Sequence, residues 1–545
     1  MELFSVVLVM LLAVIASGYT VRISPIPVPL PLVQIAFGVL IASATNFRAN
    51  LDPELFFLLF LPPLLFLDGW RIPKQGLFKD GTTILELAFG LVIFTVIGVG
   101  FFIHWLIPSV PLAVAFALAA VVSPTDPIAV SAIAARTPIP KRVMHILEGE
   151  SLLNDASGLV CLRFAIAAAL TGSFSVVDAS LTFLQLALGG IAIGVGVTWT
   201  ITRLKGWLSL NLGEESGSQI LISLIIPFAA YMLAERFHCS GILAAVAAGV
   251  TMSYAEISGG AKAETRVSRS AVWDTIQFAL NGIIFVLLGE QLPNVISSAS
   301  ETVRSTGHEE LWWLGVYAIA ITSALGLLRF IWVWVSLRMT ILRRRRTGEP
   351  SPPQSLRLVA VISVAGVRGA ITLAGALILP LTLTDGTAFP ARDLAILLAS
   401  SVIISSLIGA SVFLPLLLKG LKLPSEQVAD EAESAARDAA AEAAMLAIEK
   451  RQHELAAGRT DPEIYADAAA RIMSLYRIRI EGRSQTGAAA DRVRLNDEIE
   501  RSMRLAGIRA ERDKIYSLAR DRSIDDDVAR KLVRELDLVE ARIKG

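Results

Sequence analysis

The sequence predicts an all-α polytopic membrane protein of about 13 transmembrane helices with a C-terminal helical tail. Three observations carry this. Apolar residues make up 54% of the 545-residue chain and charged residues only 18%, with a mean hydropathy of +0.61, which is membrane composition. Apolar runs of spanning length recur up to about residue 420. Beyond Lys422 the chain turns to Ala, Glu, Asp and Arg, with apolar positions at helical spacing, as in Leu532, Val533, Leu536 and Val539. The formal charge of +0 names no partner until it is split by region. Cys161 and Cys239 both lie in apolar segments and are too few for a disulfide framework.

Taken in order, a window of about 19 residues places spanning segments near 3–20, 29–45, 54–70, 82–107, 112–135, 143–171, 180–202, 217–237, 240–255, 273–296, 311–339, 357–383 and 393–419. The first has signal-peptide length, but Glu2 stands where a basic start belongs and no small-x-small cleavage site follows, so it is read as retained. The ninth, Gly241 to Tyr254, is short and also suits a buried or re-entrant piece. Odd-numbered loops hold Arg22; Arg71, Lys74 and Lys79; Arg136, Lys141 and Arg142; Arg203 and Lys205; Lys262, Arg266 and Arg269; and Arg338, Arg343 to Arg346 and Arg357. Even-numbered loops hold only Arg48, Arg236, Arg304 and Arg392. Basic loops stay cytoplasmic, so the N-terminus is expected outside and the C-terminus inside a plasma membrane. The Arg343–Arg346 run is read as a stop against anionic lipid, with no nucleic-acid partner.

The fifth segment is broken at its centre. Ser123-Pro124-Thr125-Asp126-Pro127 interrupts an apolar run from Pro111 to Ala135. Each proline lacks an N–H and clashes with the carbonyl four residues back, which frees the carbonyls of Ala120 and Ser123. Free carbonyls at membrane depth are tolerated only inside protein or beside a wet cavity. A charge there costs about 2.5 kcal/mol or more and marks a functional site by default. A simple proline kink would not need Asp126.

The sixth segment carries Glu148-Gly149-Glu150-Ser151-Leu152-Leu153-Asn154-Asp155-Ala156-Ser157-Gly158. Positions i and i+4 share a helix face, so Ser151 stacks under Asp155 and Glu150 under Asn154. The loop to the fifth segment is short, which makes the two helices antiparallel neighbours and lets Asp126 and Asp155 meet at mid-depth. Carboxylate, hydroxyl, amide and carbonyl oxygens suit a hard cation, and no His or Cys accompanies them as zinc or iron would require. No cofactor is expected. Two carboxylates in a dry pocket repel, so such a site holds either a proton or a cation. That is antiporter chemistry, with Na+ at Asp155 and Asp126 and with Thr125, Ser151, Ser123 and Asn154 completing the shell.

Arg329 lies deep in the eleventh segment and needs an anion; Glu150 is the spare carboxylate, which pairs the two structurally. Arg163, two turns beyond Asp155, either lines an outer funnel or snorkels. Asp68 either approaches the site or marks the membrane exit. The twelfth segment, with Gly366-Val367-Arg368-Gly369, then Gly375 and Pro380, also reads as broken, and Arg368 is an accessory candidate. Counted from segments one and eight, each broken segment is the fifth. Matching breaks predict two inverted repeats whose fifth and twelfth helices cross at the site, with 180–202 as a linker helix.

Phe60-Leu61-Pro62-Pro63-Leu64-Leu65-Phe66-Leu67-Asp68, Ser123-Pro124-Thr125-Asp126-Pro127, Gly149-Glu150-Ser151-Leu152-Leu153-Asn154-Asp155 and Gly366-Val367-Arg368-Gly369-Ala370 together resemble the monovalent cation:proton antiporter-1 family of sodium/proton exchangers. Asn281-Gly282-Ile283-Ile284-Phe285, followed by Gly289, is similar to its bacterial members. The resemblance covers roughly residues 1–420. It implies a thirteen-helix homodimer with a dimerisation part, roughly 1–70 and 217–297, and a moving core, roughly 82–171 and 311–419, within a transmembrane domain of 1–422. It also implies that Asp155 is the cation and proton carrier, that Asp126 and Thr125 are unwound-helix ligands, that Glu150 and Arg329 are the buried ion pair, and that the Asn154-Asp155 pairing goes with electroneutral exchange. Asp68 falls where some members carry a Glu that reaches the site. The expectation is exchange of Na+, or Li+ or K+, for H+. A K+/H+ antiporter, a cation sensor and a channel stand as alternatives. The tail, 423–545, is a solvated appendage or a regulatory domain.

Overall fold

The computed structural model describes residues 2–25, 28–44, 53–72, 81–127, 130, 139–171, 176–212, 215–257, 263–305, 312–347, 356–383, 386–419, 425–457, 462–484, 488–521 and 523–544. Arg48, Lys74, Lys79, Arg136 and Lys262, on which the orientation reading leans, lie outside them, as do residues 131–138 of the fifth segment. The chain forms two compact units, Met1–Lys422 and Leu423–Gly545.

The first unit is helical among its described residues, apart from an isolated bridge between Thr382 and Ala388. Its helices are α1 (Glu2–Ile23), α2 (Leu30–Ala44), α3 (Pro53–Arg71), α4 (Gly81–Leu106), α5 (Leu112–Val122), α6 (Lys141–Thr171), α7 (Val176–Leu212), α8 (Ser216–Arg236), α9 (Gly241–Ile257), α10 (Ala263–Ser305), α11 (Trp312–Thr347), α12 (Leu356–Val364), α13 (Ala370–Leu377) and α14 (Arg392–Leu418). Eight of the described helices are long and apolar enough to cross a membrane. Exposed apolar side chains such as Trp199, Leu221, Ile319 and Leu327 suit lipid. The twelfth segment is two short helices, α12 and α13, separated by Ala365–Gly369. The tenth is longer than hydropathy suggests, because α10 extends through polar turns at both ends.

Two packing styles divide this unit. Around α2, α3, α9 and α10 the backbones nearly touch. A Cβ on Gly38 would strike Val286 and Gly289 of α10, and one on Gly249 would strike the Phe66 carbonyl of α3. The short α9 is an interior helix, enclosed by α3, α7 and α8, with Ala244, Ala245 and Ala248 wholly buried. At one end of this group Phe66 stacks on Trp273 with ring centroids 5.3 Å apart. Beside them buried Arg269 pairs with Glu256, which also accepts the Trp70 indole N–H at 2.7 Å.

Around α4, α6 and α11 the contacts run through side chains and irregular backbone. A π turn, Glu86–Leu91, interrupts α4. Such turns leave carbonyls open to outside donors. Here Ser157 of α6 donates to Ala88 O at 2.7 Å, and the Trp332 indole of α11 donates to Glu86 O at 3.1 Å.

The second unit holds α15 (Ser425–Ala456), α16 (Pro462–Ser484), α17 (Ala488–Arg520) and α18 (Asp526–Lys544). α15 packs on α16 and α17 on α18. Arg512 of α17 ties the second pair, donating to Asp537 at 2.7 Å and to Glu540.

Candidate cation site

The two interrupted segments meet through their irregular stretches. α5 ends at Val122, and Ser123–Asp126 is not helical. The Asp126 N–H donates to Val367 O at 2.7 Å, between the ends of α12 and α13. Gly369 makes this approach possible, because a Cβ there would overlap the Asp126 carboxylate. Broken helices leave terminal carbonyls without partners. Arg368, buried at the crossing, serves them: its Nε donates to Val122 O at 2.9 Å and its Nη1 to Gly366 O. Proline geometry frees the carbonyls of Ala120 and Ser123. The helix ends at Val122, so that residue's carbonyl also stands at the break, and it takes a donor from 246 residues away in sequence.

Behind the crossing lies a fully buried charge pair. Arg329 Nη2 donates to Glu150 Oε2 at 2.7 Å, Nη1 pairs with Oε1, and Nε donates to Ile362 O in the last turn of α12 at 3.1 Å. This bidentate arrangement uses the planar fork of arginine. The pair is wired to the broken helix. Thr125 Oγ1 donates to Glu150 Oε1 at 3.1 Å and accepts from Asn154 Nδ2 at 2.9 Å. Glu150 thereby accepts the hydroxyl's hydrogen bond, and a remaining Thr125 lone pair stays open to a cation.

In front of the crossing is a small cavity of about 20 Å³. That is room for one or two water-sized species. Asp155, Asp126, Asp68, Thr125, Ser151 and Asn281 line it, together with the start of α13. The carboxylates of Asp126 and Asp68 lie near enough to interact electrostatically with Asp155. A wider funnel of about 450 Å³ shares Asp68, Ser151 and Asn281 with the cavity and opens beside Arg71, Asp274 and Glu148. Arg71 pairs with Asp274 and donates to Gln277 at 2.7 Å on that rim. Among the described residues no group of three or more His, Cys, Asp and Glu side chains is set to hold a metal ion. An ion in the cavity would therefore draw its remaining oxygens from hydroxyl, amide and backbone groups.

The crossing thus gathers Asp155, Asp126, Thr125, Ser151 and Asp68 at one cavity, with Glu150, Arg329 and Arg368 behind it. Ser123 and Asn154 are buried but do not line the cavity, and Ser123 Oγ and Asn154 Oδ1 have no hydrogen-bond partner. Arg163 is not at the site: it pairs with Glu235 of α8 at 3.3 Å, both side chains part-exposed. Asn281 escapes residue-by-residue reading, although an amide in the apolar middle of α10 is a visible signal.

Comparisons with known proteins identify the family and the fold. The transmembrane sodium/hydrogen exchanger family matches residues 8–420. An uncharacterized Na+/H+ exchanger of Escherichia coli (strain K12), YjcE, is 41% identical over 546 residues, covering 99% of each chain. A sodium, potassium, lithium and rubidium/H+ antiporter of Bacillus pumilus (strain SAFR-032) is 38% identical over 536 residues, 98% of this chain and 77% of that one. The sodium proton antiporter MjNhaP1 of Methanocaldococcus jannaschii, solved at pH 8, shares the fold with a TM-score of 0.59 at 16% identity, covering 77% of this chain and 99% of that one.

Proposed function

Because the chain belongs to the sodium/hydrogen exchanger family, we propose that it exchanges Na+, and with it Li+ or K+, for H+ across a plasma membrane without net charge movement. The observation that carries this reading is the small cavity between the two helix breaks, lined by Asp155, Asp126 and Asp68. Asp155 is the shared carrier. It holds a proton in one half of the cycle and a cation in the other, because crowded carboxylates resist simultaneous ionisation in a dry site. Asp126, Thr125 and Ser151 supply further oxygens, Asp68 meets the ion on the funnel side, and Asn154 holds Thr125 without adding charge. The K+ option draws support from the Bacillus pumilus relative, whose name includes potassium.

The mechanism is alternating access. Thirteen spanning helices form two inverted repeats around the crossing, a core of α4–α6 and α11–α14 moves against the remaining helices, and two copies of the chain pair through those helices. The funnel opens beside Arg71, on the face that the basic loops assign to the cytoplasm, and in this reading it is the cytoplasmic access path. The N-terminus is outside and the tail is cytoplasmic.

Dye-monitored proton flux in proteoliposomes, challenged in turn with Na+, Li+ and K+ and with or without an imposed voltage, tests the reading. Cation-driven proton movement indifferent to voltage is expected. Proton movement that follows the voltage would overturn electroneutrality, and none with any of the three ions would overturn antiport.

A further inference from the structure

Asn281 stands apart from every other polar group at the cavity. It sits on α10, not on α3, α6 or the broken segments that supply the carboxylates and hydroxyls. It is 8% exposed, and its Oδ1 has no hydrogen-bond partner. It lines both the small cavity and the funnel, so it stands where the two adjoin. A buried amide oxygen without a partner loses its hydration and gains nothing in return unless a ligand or water completes it. Its backbone is also held firmly. The next residue, Gly282, lies so close to Val14 of α1 and Gln34 of α2 that a Cβ would meet both side chains.

We infer that Asn281 is a cation ligand on the funnel side, a neutral oxygen that raises affinity for the metal ion and not for the proton. The inference rests on the antiport reading above. A carboxylate binds H+ and Na+ alike, whereas an amide oxygen coordinates a hard cation and takes no proton near neutral pH. Asn281 therefore biases the competition at Asp155 towards the cation without changing the proton site. Because α10 is locked to α1 and α2, the oxygen does not travel with the moving helices. It serves cations arriving through the funnel and is left behind when the site faces the other side.

The test uses the full chain in proteoliposomes with NaCl, LiCl and KCl as probes, together with Na+-dependent thermal stabilisation in detergent as a flux-independent readout. Asn281→Leu, close in shape and lacking the oxygen, is expected to raise the half-saturating Na+ concentration on the funnel side about tenfold, leave the opposite side and the maximal rate near wild type, and weaken the stabilisation by Na+. Its pH profile at saturating Na+ should match wild type. Asn281→Asp should regain affinity but add a second titrating group to the pH dependence of half-saturation that competition at Asp155 already gives. Where the leucine variant does not assemble, Asn281→Ala is read in the same way. A wild-type protein that exchanges, beside an oxygen-free variant with unchanged half-saturation and unchanged Na+ stabilisation, overturns this inference alone. A wild-type protein that exchanges nothing overturns the antiport reading, and Na+ stabilisation lost only in the variant would still support the ligand.

Discussion

The helices around α2, α3, α9 and α10 and those around the crossing solve membrane packing in opposite ways. In the first group, small residues let backbones touch, as at Gly38 against Gly289. Helix association in lipid draws on such van der Waals contact, because burying apolar surface gains little when lipid is equally apolar. In the second group, helices are broken or π-turned, and buried charges and freed carbonyls satisfy one another through Glu150, Arg329, Thr125 and Arg368. The first arrangement has one tight optimum and resists sliding. The second carries exchangeable polar partners, which a site that trades a proton for a cation requires. The difference teaches where change would be felt as lost transport and where as lost fold.

The largest effect should come from the crossing. Asp155→Asn is expected to bring cation-driven proton flux to background while the protein still inserts and elutes as a single species, and wild-type flux in that variant would remove Asp155 from its role. Glu150→Gln should strand the Arg329 guanidinium at a cost of about 3–5 kcal/mol, read as lower folded yield and earlier melting. Because Thr125 also donates to Glu150, whatever protein does fold should bind Na+ more weakly. Normal melting would show that the buried pair does not hold the crossing together.

Gly289→Val probes the locked group. Overpacking against α2 should cost about 1–3 kcal/mol or more, visible as earlier melting, yet the surviving protein should keep its wild-type order of preference among Na+, Li+ and K+. An altered order would mean that the two regions are less separable than their packing suggests. The smallest effect is expected from Arg163→Gln. Its pair with Glu235 is part-exposed, and such pairs contribute about 0–1 kcal/mol. Melting and half-saturating Na+ should stay near wild type, and a tenfold loss of exchange would restore Arg163 as a pathway residue.

Much of this contrast is legible in the sequence. The costly residues Asp126 and Asp155 stand out against apolar runs, the prolines at 124 and 127 announce a break, and a buried arginine such as Arg329 calls for a carboxylate. Hydropathy, proline sterics and the cost of buried charge act within one helix, so they can be read one segment at a time. Asp68, Arg163 and Asn281 were not resolvable in that way. The amide of Asn281 stands out locally without saying what it meets, and the role of each depends on what faces it across the fold: the cavity for Asp68 and Asn281, Glu235 for Arg163.

The sequence by itself determined that this chain lives in a membrane, that two of its helices are interrupted, and that carboxylates sit at the interruptions. Only the tertiary structure decided that Thr125 links the ion pair to Asn154, that Arg368 serves the carbonyl of Val122, and that α10 brings an amide to the cavity. The reason is physical. Local rules state which groups are left needing a partner, and helix packing between residues far apart in the chain determines which partner each one meets.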